Sequence, residues 1–151
     1  MDQKDADNLL AQEYFALQRF IEDFDGRTIS IKTWSVTSSI AGLAAAYVQG
    51  SPTILWLSGA SASVFWLVEA LWKTNQQSYY PRIGEIEAHF HDGVPTRPLA
   101  ITRSWSRSFF ERGRYLYALR IMAWPHVALP HVAVVAAVIA LGVFNAPVAS
   151  N

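Results

Sequence analysis

The sequence contains no cysteine, which excludes disulfide bonds and thiolate chemistry. It also lacks a phosphate-binding glycine loop, a nucleophile elbow and a zinc-protease motif, so no catalytic constellation is legible and neither enzyme activity nor a cofactor is expected. Charge of one sign is not in excess, because twelve Lys and Arg offset twelve Asp and Glu. A cleavable signal peptide is not expected, since Met1-Asp2-Gln3-Lys4-Asp5 is acidic and runs into a polar helix pattern. The most informative scarcity is local. Residues 31–72 hold only two charged side chains, Lys32 and Glu69, and residues 121–144 hold no Asp, Glu, Lys or Arg.

What is present is segregated into blocks: 52% of the chain is hydrophobic, yet its mean hydropathy is only +0.16. Residues 31–48 and 53–72 each approach the ~20 residues with which an α-helix crosses a ~30 Å hydrocarbon core. Gln49-Gly50-Ser51-Pro52 joins them as a hinge, in which Ser51 can cap the second helix and Pro52 fits its first turn. Residues 121–144 are long enough for a third crossing. Pro125 and Pro130 disturb its first turns, so its straight part is expected from about His131, with a re-entrant segment as the alternative.

All Lys and Arg lie at or before the start of the first run, or between the second and third. The positive-inside rule then puts the N-terminus and residues 73–120 in the cytoplasm, and the hinge and C-terminus outside. The expected fold class is all-α: an integral membrane helical bundle with three transmembrane helices and cytoplasmic amphipathic helices, in a bacterial inner membrane. The segments are 1–30 (cytoplasmic helix), 31–72 (hairpin), 73–120 (cytoplasmic helical region), 121–144 (third crossing) and 145–151 (external tail).

In the first polar block, Leu10, Tyr14, Leu17, Ile21 and Phe24 recur at helical spacings of four and three. Tyr79, Ile83, Ile86 and Phe90 repeat that spacing after the hairpin, which makes the two seams natural antiparallel partners. A third amphipathic helix, residues 102–120, is basic through Arg103, Arg107, Arg112, Arg114 and Arg120. It suits anionic lipid headgroups or the acidic N-terminal arm. Nucleic acid is not an expected partner, because most aromatic residues fall at membrane ends and on helical seams. Asp23, Asp25 and Gly26 do not make a calcium loop, since the glycine comes too early and Trp34 stands where the closing glutamate belongs.

Small residues mark close helix packing. Ser38, Gly42 and Ala46 share one face of the first run, and Gly59 and Ser63 form a small-xxx-small pair on the second. They predict tight packing of the hairpin or of its copies, hence a homo-oligomer. Their hydroxyls either bond back to their own helices or line a polar path.

Glu69 is the one carboxylate in an apolar run and therefore a functional candidate. Lys73 is four residues on, in the favourable order for a helical ion pair, and Lys32 is expected at a similar level. The alternatives are an interfacial ion pair and a gating or conducting group. His126 and His131 sit in a repeated Pro-His-Val triplet and are about 140° apart on a helix, a poor arrangement for one metal. They read as interfacial anchors, or as pH sensors. His89 and His91 point to different faces, so no metal site is expected there.

At Lys32-Thr33-Trp34-Ser35-Val36-Thr37, Phe65-Trp66-Leu67-Val68-Glu69-Ala70 and Tyr79-Tyr80-Pro81-Arg82-Ile83-Gly84-Glu85-Ile86-Glu87 the chain resembles small uncharacterised bacterial multi-pass membrane proteins. More distantly, it resembles SLATT-type effectors. The resemblance covers roughly residues 10 to 90 and implies a membrane hairpin with cytoplasmic helices and a pore-forming role in bacterial conflict; it assigns no functional residue. The leading expectation is a pore-forming or ion-conducting protein gated by its cytoplasmic helices. The alternative is a non-conducting membrane anchor or adaptor that holds a soluble protein partner at the lipid bilayer.

Overall fold

A computed structural model of the chain describes residues 2–113 and 115–148. Arg114 of the basic stretch and residues 149–151 of the tail lie outside the described residues. Regular structure among the described residues is wholly helical: α1 Gln3–Val48, α2 Pro52–Gln77, α3 Tyr80–Asp92, α4 Ile101–Glu111, α5 Tyr115–Met122 and α6 Pro125–Phe144.

The N-terminal amphipathic helix and the first apolar run are one helix, without a boundary near residue 30. α1 runs for 46 residues, roughly 70 Å at ~1.5 Å per residue. Gly26 does not interrupt it, and the hydroxyls of Thr28, Ser30 and Thr33 bond back to carbonyls four residues earlier. At the hinge, Gly50 takes φ +59°, Ser51 N–H donates to Ala46 O at 2.8 Å and Gly50 N–H to Tyr47 O at 3.3 Å. That pattern is a Schellman stop. Pro52 opens α2 as expected, but the Ser51 side chain makes no cap bond.

α2 packs on α1, α5 and α6, so it is the centre of the apolar half. Glycines set how closely these helices approach. A Cβ on Gly42 would stand 2.1 Å from Ser58 Oγ, and one on Gly59 would stand 2.9 Å from Val138. Ala46, Leu55 and Val138 close this end. The buried line on α1 is Ser35, Ser39 and Ala46, with Gly42 half-buried between them, whereas Ser38 is exposed. Ser63 is exposed as well, and its hydroxyl bonds back to Gly59 O. Ser38 and Ser63 are thus not packing residues within the chain, because the third helix, α6, rotates the buried faces away from them.

Two helices of the described chain are long and apolar enough to cross a membrane: α6, and the helical stretch that begins with α2. Residues 31–48 do not join them, since Thr33, Ser35, Thr37, Ser38 and Ser39 dilute the first half of that run. α6 also continues through Pro130 instead of starting near His131. Only 17% of its apolar window is buried, so most of it faces outward.

In the polar half, the paired seams meet as their spacing predicts: Leu10, Leu17 and Ile21 of α1 pack on Ile83 and Ile86 of α3, flanked by Tyr14 and Tyr79. α3 begins at Tyr80 with Pro81 in its first turn. The basic stretch is two helices, not one, because Gly113 at φ +82° turns the chain between α4 and α5. Since Gly42 lies against Ser58, Gly42→Ala should destabilise the full chain in detergent by about 1–3 kcal/mol. In thermal unfolding, combination with Ser58→Gly should recover most of that loss.

Candidate functional site

Five side chains from three helices converge where the apolar half begins. Lys32 and Ser35 are one turn apart on α1; Trp66 and Glu69 are one turn apart on α2; His131 comes from α6. Glu69, His131 and Ser35 are fully buried, while the Lys32 side chain keeps 28% of its surface open. His131 Nε2 lies 2.9 Å from Glu69 Oε2, and His131 Nδ1 lies 3.0 Å from Ser35 Oγ. Lys32 Nζ lies 3.2 Å from Glu69 Oε1, an ion pair whose angle falls outside hydrogen-bond geometry. The Trp66 ring stacks on the imidazole at 6.3 Å between centroids and 12° between planes.

Lys32 Nζ also donates to the backbone oxygen of His126, at 2.7 Å. Inside a helix that carbonyl would accept the amide of the residue four positions later. Here that residue is Pro130, which has no N–H. The proline therefore frees an acceptor inside α6, and Lys32 fills it. This gives the Pro-His-Val repeat a chemical meaning: Pro130 presents a carbonyl to Lys32, and His131 presents its ring to Glu69.

The imidazole can complete these bonds in two ways. With one proton, on Nε2, it donates to Glu69 and accepts from the Ser35 hydroxyl; with two, it donates to both. Both arrangements keep the same heavy-atom positions, so a proton can be gained or lost at Nδ1 without repacking.

Of the sequence candidates, the structure brings Glu69, Lys32 and His131 together. Lys73 is not the partner of Glu69. Glu69 turns inward against α1 and α6, and Lys73 instead donates to Asp25 Oδ1 at 2.7 Å. The hairpin runs antiparallel, so Lys32 lies level with Glu69 and Asp25 level with Lys73. Burial pushes the Asp25 carboxyl up, but bonds from Lys73 and Gln76 outweigh it and hold the group below its ordinary value of 3.8. The His126 ring is exposed beside Trp124, 5.5 Å between ring centroids, and only its backbone belongs to the site. Gly42, Ala46 and Gly59 pack helices nearby. Among the described residues, no three of His, Asp and Glu converge as a metal site.

No family model, curated protein or solved structure matches the chain. The site is therefore argued from its own chemistry.

Sequence reasoning missed a second buried ionic centre in the polar half. Arg82 of α3 binds Glu13 of α1 through two nitrogens at 2.8 and 3.1 Å, and Glu85 at 2.8 Å. Its side chain and that of Glu13 are 3% and 1% exposed. Arg82 also donates to Arg97 O at 2.8 Å, and Leu99 N–H donates to Glu13 Oε2 at 2.7 Å. Leu99 takes φ +60°, a conformation uncommon outside glycine, and this bond to Glu13 helps hold it. Glu13 falls among the seam positions between Leu10 and Leu17, a signal that a buried carboxylate there needs a cation.

The dependence of Lys32 on the proline-freed carbonyl is testable by a double-mutant cycle. Pro130→Ala restores an amide that competes for His126 O, and Lys32→Met removes the ammonium. Their effects on unfolding in detergent should be non-additive by about 1 kcal/mol; strict additivity would show that the two groups do not share the carbonyl.

Proposed function

We propose that this chain is an integral membrane protein of the bacterial inner membrane that conducts protons or small cations as a homo-oligomer, with its polar helical half controlling conduction from the cytoplasm. The observation that carries the reading is the largely buried Lys32–Glu69–His131–Ser35 cluster within a bundle whose outer surface is apolar. Ionisable groups inside such a bundle are expensive and commonly mark ion paths or proton relays. A carboxylate and an imidazole 2.9 Å apart form a couple that can exchange a proton directly.

Membrane insertion is supported by what the bundle leaves outside: Ile40, Leu57, Val64, Leu129, Ile139 and Phe144 are all well exposed in the single chain. In this reading residues 31–48 cross together with α2 and α6. Their serines and threonines are accommodated by bonds to their own backbone and by the cluster. The lysine and arginine distribution supports a cytoplasmic N-terminus and an external C-terminus. Self-association is proposed through outward small residues such as Ala133, Ala137 and Ala140, since Gly42 and Gly59 are occupied inside the chain. The SLATT-like resemblance of residues 10 to 90 agrees with this role.

A second reading, the adaptor, is favoured by a different feature. An apolar groove of about 430 Å³ runs between α1 and α3, lined by Ala11, Tyr14, Phe15, Ile86 and Phe90. A helix from a soluble partner fits a groove of that kind.

Proteoliposomes loaded with a pH-sensitive dye and given a potassium diffusion potential separate the two readings. Proton entry should occur with the wild type and fall at least about tenfold, the equivalent of ~1.4 kcal/mol on the barrier, in Glu69→Gln and His131→Phe at equal reconstitution. Absence of proton or cation flux in every form, with Phe15→Ser and Phe90→Ser abolishing recruitment of a cytoplasmic protein, would favour the adaptor.

A further inference from the structure

We infer that the loop between α3 and α4 and the first two turns of α4 form a binding site for a phosphate-bearing anion, built by Arg97 of the loop and Arg103 and Arg107 of α4. These arginines line one cavity of about 410 Å³ together with Thr96, Ala100 and Ser104. Among the described residues, none of the three makes an ion pair. The carboxylate on the cavity wall, Glu85, and Glu13 behind it are already engaged by Arg82, and Glu85 also by the Ser104 hydroxyl at 3.5 Å. Four guanidiniums against two carboxylates leave a local charge of +2, since 4 − 2 = 2.

The cavity adjoins the start of α4. Ala100 occupies the N-cap of α4, where no side chain caps the helix, and the first bond into the helix is Ser104 N–H to Ala100 O. Ala100, Arg103, Ser104 and Arg107 recur at helical spacing, so the cavity runs along one side of α4 from its uncapped first turn. Arginine guanidiniums recognise phosphate oxygens through paired, charge-assisted N–H bonds.

The loop that carries the site is unusually well fixed. Arg82 holds the carbonyl of Arg97, Glu13 holds the amide of Leu99, His89 Nδ1 accepts the amide of Thr96, and the Thr96 hydroxyl donates to Glu85 O at 3.2 Å. A site held in this way gives up little ordering entropy when an anion arrives. With the membrane insertion proposed above, its position lies near both aqueous and bilayer sources of phosphate. Trp105 Nε1 donates to Asn75 O at 3.2 Å, which sets α4 beside the end of the apolar part of α2, three residues past Trp72. A soluble phosphate compound can enter from the aqueous side and a lipid headgroup from the bilayer side. The recognition chemistry is the same for both. This inference stands apart from conduction, because neither the cluster at Glu69 nor any flux enters it.

The test uses the full chain in phosphatidylcholine nanodiscs, titrated calorimetrically with inorganic pyrophosphate, and in nanodiscs containing phosphatidylglycerol, from which retained lipid is counted by native mass spectrometry. Arg103→Gln and Arg107→Gln are exposed changes that should leave the unfolding temperature unaltered, with Arg19→Gln as a control on a distant exposed arginine. Pyrophosphate binding that weakens about tenfold with each cavity arginine removed, and not with Arg19→Gln, assigns a soluble phosphate ligand. Retention of phosphatidylglycerol that is lost in Arg103→Gln/Arg107→Gln, without pyrophosphate binding, assigns a lipid headgroup. If neither anion binds, or if both bind equally well to the double variant, the site does not exist.

Discussion

Glu69 is a carboxylate without solvent contact, and removing such a charge from water costs several kcal/mol unless opposite charge and hydrogen bonds replace that water. The replacements come from both neighbouring helices: the ammonium of Lys32 on α1 and the imidazole of His131 on α6. Each of these has its own anchor. Lys32 is held by the carbonyl that Pro130 leaves free, and His131 by Ser35 and the face of Trp66. Breaking either hydrogen bond of His131 leaves buried polar groups unpaired, so α1, α2 and α6 are tied in one relative rotation. The glycine contacts at Gly42 and Gly59 set how close the helices come; the cluster sets which faces meet.

The polar half repeats the same solution. Glu13, also buried, is met by a long cation, Arg82, and by one backbone group, the amide of Leu99. Both centres draw on α1, nineteen positions apart, roughly 28 Å along an unbroken helix. Because α1 has no hinge between Glu13 and Lys32, a displacement of its polar end is carried to the cluster as rigid-body movement. The proposed control of the cluster from the polar half would need no element besides α1.

Much of this was legible in the sequence, and what was not has a common cause. The turn at Gly50 and Pro52, the meeting of the Leu10–Ile21 seam with Ile83 and Ile86, and the level of Lys32 with Glu69 all follow from spacing along single helices. Spacing also made Lys73 the obvious partner for Glu69. The rotation of α2 against two neighbours overrode it, and that rotation is a tertiary property. The same rotation moved the buried line from Ser38 to Ser39. Continuity of α1 was obscured by a change of composition at residue 30 that carries no backbone signal. Pro130 was read as a helix breaker, although a proline inside a helix also creates a free carbonyl, and Lys32 stands ready to use it.

The hydroxyls bear on how a charge could move through this bundle. Ser58, Ser63, Thr33 and Ser38 bond to carbonyls of their own helices, so they do not form a continuous polar lining. The groups left at the apolar level that can pass a proton are Glu69 and His131, and Lys32 is their partly open neighbour toward the polar half. On the opposite side lie Ser39, whose hydroxyl is buried without a partner, and then the tight contact of Gly42 with Ser58. The cluster is thus closer to water on the side of the polar helices and closed on the side of the hinge. In the conducting cycle proposed above, a step that opens the single bundle would part α1 from α2 around Gly42, and the pairing of Glu69 with His131 would govern what is released. A glycine contact that is tight but carries no hydrogen bond of its own suits such a step, since separating it exposes one orphan hydroxyl and breaks no ion pair.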